Sequence, residues 1–410
     1  MGSRSHIYMP LFGKKILFGV SGGIAAFKAA EFVRELKKSG AEVKVILTEN
    51  AQKFISPLTF SALSGNNCFS SLFDQYSSTL IPHIELSDWA DVLLCLPATA
   101  NIISRLANGM ADDLLTTTFL SFKGPKLIFP SMNPNMFESH ATQENIAKLK
   151  SYGYEIIEPT YGRVVCGHKG KGKLVNFDTV RFYIQNVLWP KKLKGKKVLI
   201  TTGPTREPID PIRFISNRSS GKMGFCLAES ALLRGAQLTL ICGPTKKEPK
   251  EFIPHLQVET ASEMASQVFN LSDNMEIIIM AAAISDYAPS TFLQNKLKKS
   301  QETLKIELKK TTDILKELGK KKQPNQILVG FCAETENLIE NAFKKLQEKR
   351  LDLIVANNVM EKGAGFDTDT NKVYLIDTEE NIEELPLLPK EEVAERIFDK
   401  IEKIIEKAFN

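Results

Sequence analysis

The chain has 410 residues, of which 43% are hydrophobic and 25% are charged, and its formal net charge is +5. This length predicts two or more domains, each large enough for its own core, and the composition is that of a soluble globular protein. Because the net charge is mild and no arginine-rich stripe accompanies it, it fits anionic small molecules at least as well as nucleic acid. The longest apolar run, Ile277–Ile284, is far shorter than the roughly 20 residues that a membrane span needs.

The cysteines are scattered, without a CxxC pair or a zinc-binding spacing: Cys68, Cys95, Cys166, Cys226, Cys242 and Cys332. A reduced, cytoplasmic protein is the simplest inference from this pattern. The leader MGSRSHIYMPLFG lacks the apolar segment of a signal peptide, and we leave it out of the predicted fold.

The first predicted unit is a strand, a glycine turn, a helix and a second strand. Lys15–Val20 predicts the first strand, SGG follows at 21–23, and Glu42–Leu47 predicts the second strand, which ends at Thr48. The N-terminus of a helix after such a turn favours a phosphate group. Alone, the SGG turn is a weak signal because it lacks the GxGxxG spacing of a dinucleotide fold.

Further along, polar loops follow two more predicted strands. Asp91–Leu96 predicts a buried strand whose following loop, 97–101, lies where open α/β sheets bind ligands. The strand Lys126–Phe129 runs into PSMNPNMF. The stretch VVCGHKGKGKL at 164–174 indicates either a solvated surface turn or a cationic loop that lowers the pKa of a reactive thiol. His83 precedes a helix-like segment, and a lone histidine is more often structural than catalytic.

Together these stretches resemble the flavin-dependent cysteine decarboxylase family. SGGIAAFK resembles its FMN-phosphate loop, with Phe27 where tyrosine is usual. PSMNPNMF resembles its PxMNxxMW signature, with Phe137 in place of tryptophan, and the stretch 164–174 resembles its CGxxGxGR/K flap. The resemblance implies a flavodoxin-like FMN-dependent phosphopantothenoylcysteine decarboxylase domain over 14–190.

The same resemblance implies roles for single residues. His83 becomes the active-site base, Asn133 holds the substrate carboxylate, and Cys166 donates a proton. The residues expected to bind FMN are Ser21, Gly22, Gly23, Thr48, Thr99, Ala100 and Asn101. The other five cysteines lie in apolar or strand contexts and are expected to be core residues.

A helix-like segment, Val180–Leu188, stops before Pro190, and a lysine-rich linker leads into the second half. Val198–Thr201 predicts a buried strand, a long loop follows, and a helix is expected to begin after SSG at 219–221. This layout also places backbone N–H groups before an anion, although an ordinary βα connection has the same outline.

Four more strands are predicted, at Gln237–Cys242, Glu276–Ala281, Ile327–Phe331 and Leu351–Val355, with a helix over Thr335–Lys349. Asp286 follows a strand end, where a carboxylate can contact a ribose hydroxyl or a metal-bound water, or can simply belong to a turn. Residues 363–373 predict a polar loop. The residues after about 385 predict an amphipathic terminal helix that only packs.

KKVLITTGPTREPIDPIRFISNRSSGKMG, at 196–224, closely resembles the phosphopantothenoylcysteine synthetases (phosphopantothenate–cysteine ligases). AAAISDYAP, NKLKK and GFCAETENL extend this resemblance, and LDLIVANNV matches a further strand, with Asn358 in place of aspartate. The resemblance implies a ligase domain over 191–410, in which Asn217 binds the intermediate and Lys296 assists acyl-nucleotide formation. The residues expected to bind CTP are Ala281, Ala282, Asp286, Lys296, Phe331, Lys345 and Lys349.

The two resemblances together imply a fused bifunctional enzyme of coenzyme A biosynthesis, built from two Rossmann-like three-layer α/β domains. It would join cysteine to 4′-phosphopantothenate through an acyl-cytidylate made from CTP with Mg2+, whose protein ligands stay unassigned. It would then decarboxylate phosphopantothenoylcysteine to 4′-phosphopantetheine with FMN. Trimeric decarboxylase units and dimeric ligase units are implied, compatible with a dodecamer, and neither nucleic acid nor a membrane is an expected partner.

Two alternatives stay open at this point. One is a related flavoprotein that acts on another cysteinyl substrate, such as a peptide C-terminus, which would leave the ligase half idle. The other is a non-enzymatic regulatory protein built on the decarboxylase fold. The presence of His83, Asn133 and Cys166 together argues against the second, because a binding module need not keep all three.

Overall fold

The computed structural model describes residues 10–73, 81–163, 167–296, 305–334, 336–358, 363, 365 and 367–409. These residues form two units that divide between Trp189 and Pro190. None of the helices described is long and apolar enough to cross a membrane.

The strands of the first unit are β1 (Lys15–Val20), β2 (Glu42–Leu47), β3 (Cys68–Phe69), β4 (Val92–Ala98), β5 (Lys126–Pro130), β6 (Glu155–Ile156), β7 (Thr160–Arg163) and β8 (Lys169–Lys173). Its helices are α1 (Ala26–Lys38), α2 (Pro57–Ser64), α3 (Pro82–Trp89), α4 (Ala100–Ala107), α5 (Leu114–Ser121), α6 (Pro134–Glu138), α7 (His140–Ser151) and α8 (Phe177–Leu188), with a 3-10 turn over Ala51–Lys53.

Six of these strands form one parallel sheet in the order β3-β2-β1-β4-β5-β6. Side chains alternate between its faces, so Ile16 and Phe18 pack under α1 and α8, while Leu17 packs under α4, α5 and α7. β7 and β8 form a separate antiparallel hairpin. The strand order reverses direction between β1 and β4, where a crevice opens at the carboxyl ends of the strands.

The strands of the second unit are β9 (Lys197–Thr202), β10 (Arg206–Pro208), β11 (Phe214–Ser216), β12 (Gln237–Cys242), β13 (His255–Gln257), β14 (Ile277–Met280), β15 (Tyr287–Pro289), β16 (Leu308–Lys310), β17 (Ile327–Glu334), β18 (Leu353–Asn358), β19 (Thr370–Asp377) and β20 (Ile382–Pro389). Its helices are α9 (Lys222–Leu233), α10 (Ala261–Ser272), α11 (Ile314–Lys321), α12 (Leu338–Glu348) and α13 (Lys390–Phe409).

Eight strands form the second sheet, in the order β13-β12-β9-β14-β17-β18-β19-β20. It is parallel as far as β18, and β19 and β20 add an antiparallel edge. The order again reverses direction between its first strand, β9, and β14. Two Rossmann-like three-layer α/β units were predicted, and the fold class is confirmed. The polar loop expected over 363–373 is wrong at its end, because β19 begins at Thr370.

A buried arginine at the end of α9 forms ion pairs with the terminal helix α13. Arg234 is only 3% exposed, and its guanidinium binds Glu402 at 2.8 Å, Asp399 at 2.8 Å and Glu395. A buried guanidinium is tolerated when carboxylates pair with its N–H groups. This cluster therefore fixes how the first half of α13 packs against the end of α9.

Candidate active sites

The glycine turn of the first unit is tied to the loop after β4. Ser21 is 2% exposed, and its hydroxyl donates to the carbonyl of Pro97 at 2.8 Å and accepts from the backbone N–H of Thr99 at 3.0 Å. The hydroxyls of Ser21 and Thr99 lie 3.3 Å apart. The turn is therefore held at the reversal point of the sheet, directly before α1.

The same turn is pressed against the loop after β2. A Cβ added to Gly22 would lie 2.5 Å from Cβ of Asn50 and 2.8 Å from its carbonyl carbon, so only glycine fits here without a shift. α1 begins after Ala25, whose methyl group makes no capping hydrogen bond. A tight glycine turn before an uncapped helix start is the arrangement that accepts a phosphate.

The predicted FMN residues all lie at this edge of the sheet. Thr48 follows β2, and its hydroxyl oxygen accepts from the backbone N–H of Ala51 at 3.3 Å. Thr99 caps α4 by accepting from the N–H of Ile102. Ala100 and Asn101 are the first two residues of that helix. The structure thus gathers the loops after β1, β2 and β4 at this edge.

Asn133 lies after β5 and beneath the β7–β8 hairpin. A Cβ on Gly172 would lie 2.3 Å from the carbonyl oxygen of Met132, which shows how closely β8 approaches this loop. The amide oxygen of Asn133 accepts from the N–H of Asn135 at 2.9 Å, and its amide nitrogen lies 3.0 Å from Nδ1 of His168. Because the oxygen is already engaged, the nitrogen is the donor and Nδ1 is the acceptor. The neighbouring hairpin residue His168 was missed by the sequence reasoning.

The structure describes one of the two other predicted decarboxylase residues. His83 lies on α3, where its carbonyl accepts from the hydroxyl of Ser87 at 2.7 Å. Cys166 lies outside the residues that the structure describes.

The remaining cysteines match their predicted core placement. Cys95, Cys242 and Cys332 are buried, and Cys68 and Cys226 pack at the margin of the core. Burial raises the pKa of Cys332 to about 11 and of Cys68 to about 12. A thiol with a raised pKa is a poor nucleophile at neutral pH, so these five are suited to packing.

In the second unit, the ends of β9 and β14 are joined by hydrogen bonds. The N–H of Ala282 donates to the hydroxyl of Thr201 at 3.2 Å, and that of Ala283 donates to the carbonyl of Gly203 at 2.9 Å. Asn217 reaches the same place from the loop after β11. Its amide nitrogen donates to the carbonyls of Ala283 and Ile284, each at 3.1 Å.

A cavity of about 730 Å³ opens at these strand ends. It is the volume expected of a small-molecule site, and it lies at the reversal point of the sheet. Its walls include seven of the eight residues predicted for the ligase, namely Asn217, Ala281, Ala282, Asp286, Phe331, Lys345 and Lys349. The eighth, Lys296, is exposed and is not part of this lining.

Each of the two lysines on α12 and at its end is paired with a carboxylate. The ammonium of Lys345 binds Glu334, and that of Lys349 binds Asp313 at 2.9 Å. Burial would lower the pKa of Lys345, but its hydrogen bond to Glu334 and the charge of Asp286 outweigh this and raise it. Both lysines therefore lie in the cavity wall with a carboxylate beside the ammonium group.

The structure corrects the prediction that the terminal helix only packs. Lys390, the first residue of α13, lines the cavity, as does Lys222, the first residue of α9. The sequence offered no signal for Lys390, because it lies in a lysine- and glutamate-rich stretch that is typical of a solvated helix.

Comparison with known proteins covers both units. Residues 7–188 match the family "Flavoprotein", and residues 193–405 match the family "DNA/pantothenate metabolism flavoprotein C-terminal domain". The "Coenzyme A biosynthesis bifunctional protein CoaBC" of Bacillus subtilis is 45% identical over 397 residues, which are 95% of this chain and 97% of that protein. The protein of the same name from Escherichia coli is 41% identical, over 96% of this chain and 98% of that one.

The chain belongs to the CoaBC family. The predicted recognition is confirmed, and so is the prediction of a bifunctional coenzyme A biosynthesis enzyme with a flavoprotein half and a ligase half.

Among solved structures, the C-terminal domain of a CoaBC is 42% identical and covers 53% of this chain and 99% of its own, with a TM-score of 0.46. The FMN-dependent cysteine decarboxylase SpaF is 31% identical and covers 41% of this chain and 93% of its own, with a TM-score of 0.37.

Proposed function

We propose that residues 191–410 join 4′-phosphopantothenate to cysteine at the expense of CTP, and that residues 14–190 decarboxylate the product with FMN to give 4′-phosphopantetheine. The observation that carries the proposal is the gathering of Asn217, Asp286, Lys345 and Lys349 on one cavity of about 730 Å³ at the reversal point of the second sheet. The glycine turn at the corresponding place in the first sheet supports the flavin half.

In the ligase half, the substrate carboxylate must be activated before an amine can attack it. We propose that Asp286 binds the ribose, that Lys345 and Lys349 bind the phosphates, and that Lys296 stabilises charge on the transferring phosphoryl group. Asn217 would then bind the acyl-cytidylate while the amino group of cysteine displaces CMP. Mg2+ would neutralise the phosphates. Among the described residues no group of three metal-binding side chains converges, and we assign no metal ligand.

In the decarboxylase half, the residues fit a flavin phosphate, because Gly22 leaves no room for a side chain beside an uncapped helix start. FMN would supply reversible hydride transfer, which provides an electron sink for loss of CO2. His83 would take the thiol proton, Asn133 would orient the carboxylate, and Cys166 would return a proton to carbon.

The test is a mass-spectrometric time course with 4′-phosphopantothenate, cysteine, CTP and Mg2+. We expect 4′-phosphopantetheine and CMP to appear together, and Cys166→Ser to stop the second reaction and lower or abolish the final product. Accumulation of phosphopantothenoylcysteine by the unmodified protein would contradict the decarboxylase assignment. If neither CTP nor ATP in its place is consumed, the ligase assignment fails and the regulatory alternative returns.

We further propose a cytoplasmic protein that assembles from trimers and dimers. The five described cysteines are free, which supports a reducing compartment. Analytical ultracentrifugation of the full chain tests the assembly, and a monomer at micromolar concentration would contradict it.

A further inference from the structure

Asp286 lies on a short stretch of the ligase unit between two strands. β14 ends at Met280 and β15 begins at Tyr287, so 284–286 belong to neither strand. The side chain of Asp286 is exposed and lines the cavity, whereas Ser285, directly before it, is buried. Because the stretch lies outside the strands, the hydrogen bonds of its peptide groups decide where the carboxylate points.

Thr311 binds the peptide groups on both sides of Asp286. Its hydroxyl donates to the carbonyl of Ser285 at 2.6 Å, and its backbone N–H donates to the carbonyl of Asp286 at 3.0 Å. Thr311 follows β16, which pairs with β15 so that Lys310 lies opposite Tyr287. The backbone bond therefore continues this pairing by one residue, and the hydroxyl adds a bond that the pairing alone does not supply.

A second threonine holds the start of the same stretch. Thr205 is fully buried, and its hydroxyl oxygen accepts from the N–H of Ser285 at 3.1 Å. Three peptide groups next to Asp286 are thus bonded to threonines from two separate segments, one after β9 and one after β16. Residues distant in the sequence therefore set the position of Asp286.

The side chain of Thr311 is suited to directing a neighbouring residue. It is branched at Cβ, so few rotamers are open to it and its hydroxyl has a defined direction. Thr311 also lines the cavity and is only partly exposed. Misplacement of a binding group by about 1 Å can cost up to about 100-fold in rate, so the direction of the Asp286 carboxylate is important for a reaction in the cavity.

We propose that Thr311 is a positioning residue of the ligase unit, whose hydroxyl holds the Ser285–Asp286 peptide so that the carboxylate of Asp286 meets a ribose hydroxyl of the nucleotide. This inference rests on the proposed function, in which Asp286 binds the ribose. It adds a residue that makes the reaction selective for ribonucleotides without touching the nucleotide itself.

The test measures how the reaction of the full chain depends on the ribose. The nucleotides are CTP, 2′-deoxy-CTP and 3′-deoxy-CTP, each with 4′-phosphopantothenate, cysteine and Mg2+, and the readout is kcat/KM for release of the nucleoside monophosphate. We expect the unmodified protein to prefer CTP over at least one deoxy analogue, because a site built to bind a hydroxyl rejects the analogue that lacks it.

Thr311→Val keeps the branched shape and removes the hydroxyl. We expect it to lower kcat/KM for CTP roughly 3- to 10-fold, the range for one lost hydrogen bond, and to leave the disfavoured analogue nearly unchanged. The preference for CTP then falls by the same factor. An equal loss with all three nucleotides would show that Thr311 only stabilises the fold, and it would overturn the proposal.

Two further variants at the same position separate the hydroxyl from the shape of the side chain. Thr311→Ala removes the hydroxyl without pressing a methyl group against the carbonyl of Ser285, and it should lower the preference for CTP as Thr311→Val does. Thr311→Ser keeps the hydroxyl and should restore the preference to within about twofold. A preference that stays low in Thr311→Ser would contradict a role for the hydroxyl.

Thr245→Val is the matched control. Thr245 is also partly exposed, and its hydroxyl donates to a backbone carbonyl, that of Lys247, at 2.9 Å, but it is not part of the cavity lining. We expect this variant to keep the full preference for CTP. The same loss of preference in the control as in Thr311→Val would overturn the proposal.

A double-mutant cycle tests whether Thr311 acts through Asp286. Asp286→Ala should itself remove the preference for CTP, and adding Thr311→Val should then change the preference no further. A further change in the double variant would mean that Thr311 acts by another route, against the proposal.

Failure of the positioning role and failure of the ligase function give different results. A preference for CTP in the unmodified protein that Thr311→Val and Thr311→Ala keep in full removes the positioning role alone. If the unmodified protein reacts equally well with all three nucleotides, the ribose contact of Asp286 fails and the role of Thr311 fails with it. If it consumes none of them, the ligase function itself fails.

Discussion

The two units place their candidate sites at the same topological position and build them differently. In each sheet the site lies beside the first strand, where the strand order reverses. In the first unit the turn after β1 spans only 21–25 before α1 begins, and its glycine is pressed against Asn50. In the second unit the corresponding segment, 203–221, is long enough to contain its own hairpin, β10–β11.

This difference shows what topology decides and what loop length decides. Strand order determines where a crevice opens, and both sheets obey the same rule. In the function proposed above, the short turn forms a tight site for one phosphate of a resident cofactor. The long segment carries Asn217 to the carbonyls of Ala283 and Ile284, in the cavity proposed to bind the ligase substrates.

The largest expected effect comes from breaking the short turn. Gly22→Ala would force Cβ against the backbone of Asn50, and we expect the flavin to be lost and decarboxylation to be abolished. Absorbance of bound flavin per chain measures this. CMP release in the same sample is the internal control, since the second sheet does not contain the turn. Full flavin occupancy in the variant would show that the turn does not hold the cofactor.

The corresponding test in the second unit is the substitution Asn217→Asp in its long segment. A carboxylate would face the carbonyls of Ala283 and Ile284, which now accept from the amide. Because two hydrogen bonds worth about 0.5–1.5 kcal/mol each are lost and the new charge repels both carbonyls, we expect ligase turnover to fall about 10- to 100-fold. Steady-state release of CMP measures it, with flavin content unchanged. Asn217→Gln keeps an amide donor and is the matched control. If Asn217→Asp turns over as fast as Asn217→Gln, the hydrogen bonds to the two carbonyls are not required for the reaction.

A smaller effect is expected from removing the hydrogen bond between Asn133 and His168 in the first unit. His168→Ala removes the acceptor for the amide of Asn133, and loss of one such hydrogen bond is worth about 1 kcal/mol. We expect KM for phosphopantothenoylcysteine to rise roughly fivefold with little change in kcat. His168→Asn offers an oxygen at a similar place and should restore KM. Failure of asparagine to do so would argue against the hydrogen bond.

The smallest effect concerns an element that only the second unit has. Burial between α9 and α13 raises the pKa of Glu395 despite its contact with Arg234. The folded chain therefore holds a proton that the unfolded chain releases, so the free energy of unfolding falls as pH rises from 4.5 through the raised pKa. We expect Glu395→Gln to flatten this slope in urea unfolding monitored between pH 4 and 7. An unchanged slope would mean that Glu395 is ionised throughout.

Periodicity was enough to predict the longer parallel strands, because their apolar runs are buried on both faces, but it missed the short parallel strands β3, β6 and β13. β1, β2 and β12 were predicted to the residue, and β9 to within one residue at each end. Periodicity did not predict the antiparallel strands β19 and β20 at the edge of the second sheet. β20 contains Pro386 and exposed glutamates, which its position at the sheet edge allows, and β19 begins inside a stretch rich in aspartate and threonine.

The residues of the candidate sites also differ in whether the sequence could predict them. Residues in long motifs, such as Asn217 and Asp286, could be predicted by resemblance, and they lie together on the cavity. Lys390 and His168 could not, because each contributes through a contact with a residue distant in sequence or in another element. No local pattern distinguishes the lysine that starts α13 from those that follow it.

The place of Lys390 along the chain also has a consequence for biosynthesis. Roughly 200 residues separate Pro190 from Lys390, and at a synthesis rate of about 5–20 residues per second they take about 10–40 seconds to be made. The flavoprotein unit can therefore fold and capture its cofactor before the last part of the ligase cavity wall, Lys390, is translated. A ribosome that pauses within the last strands would carry a finished first enzyme attached to an unfinished second one.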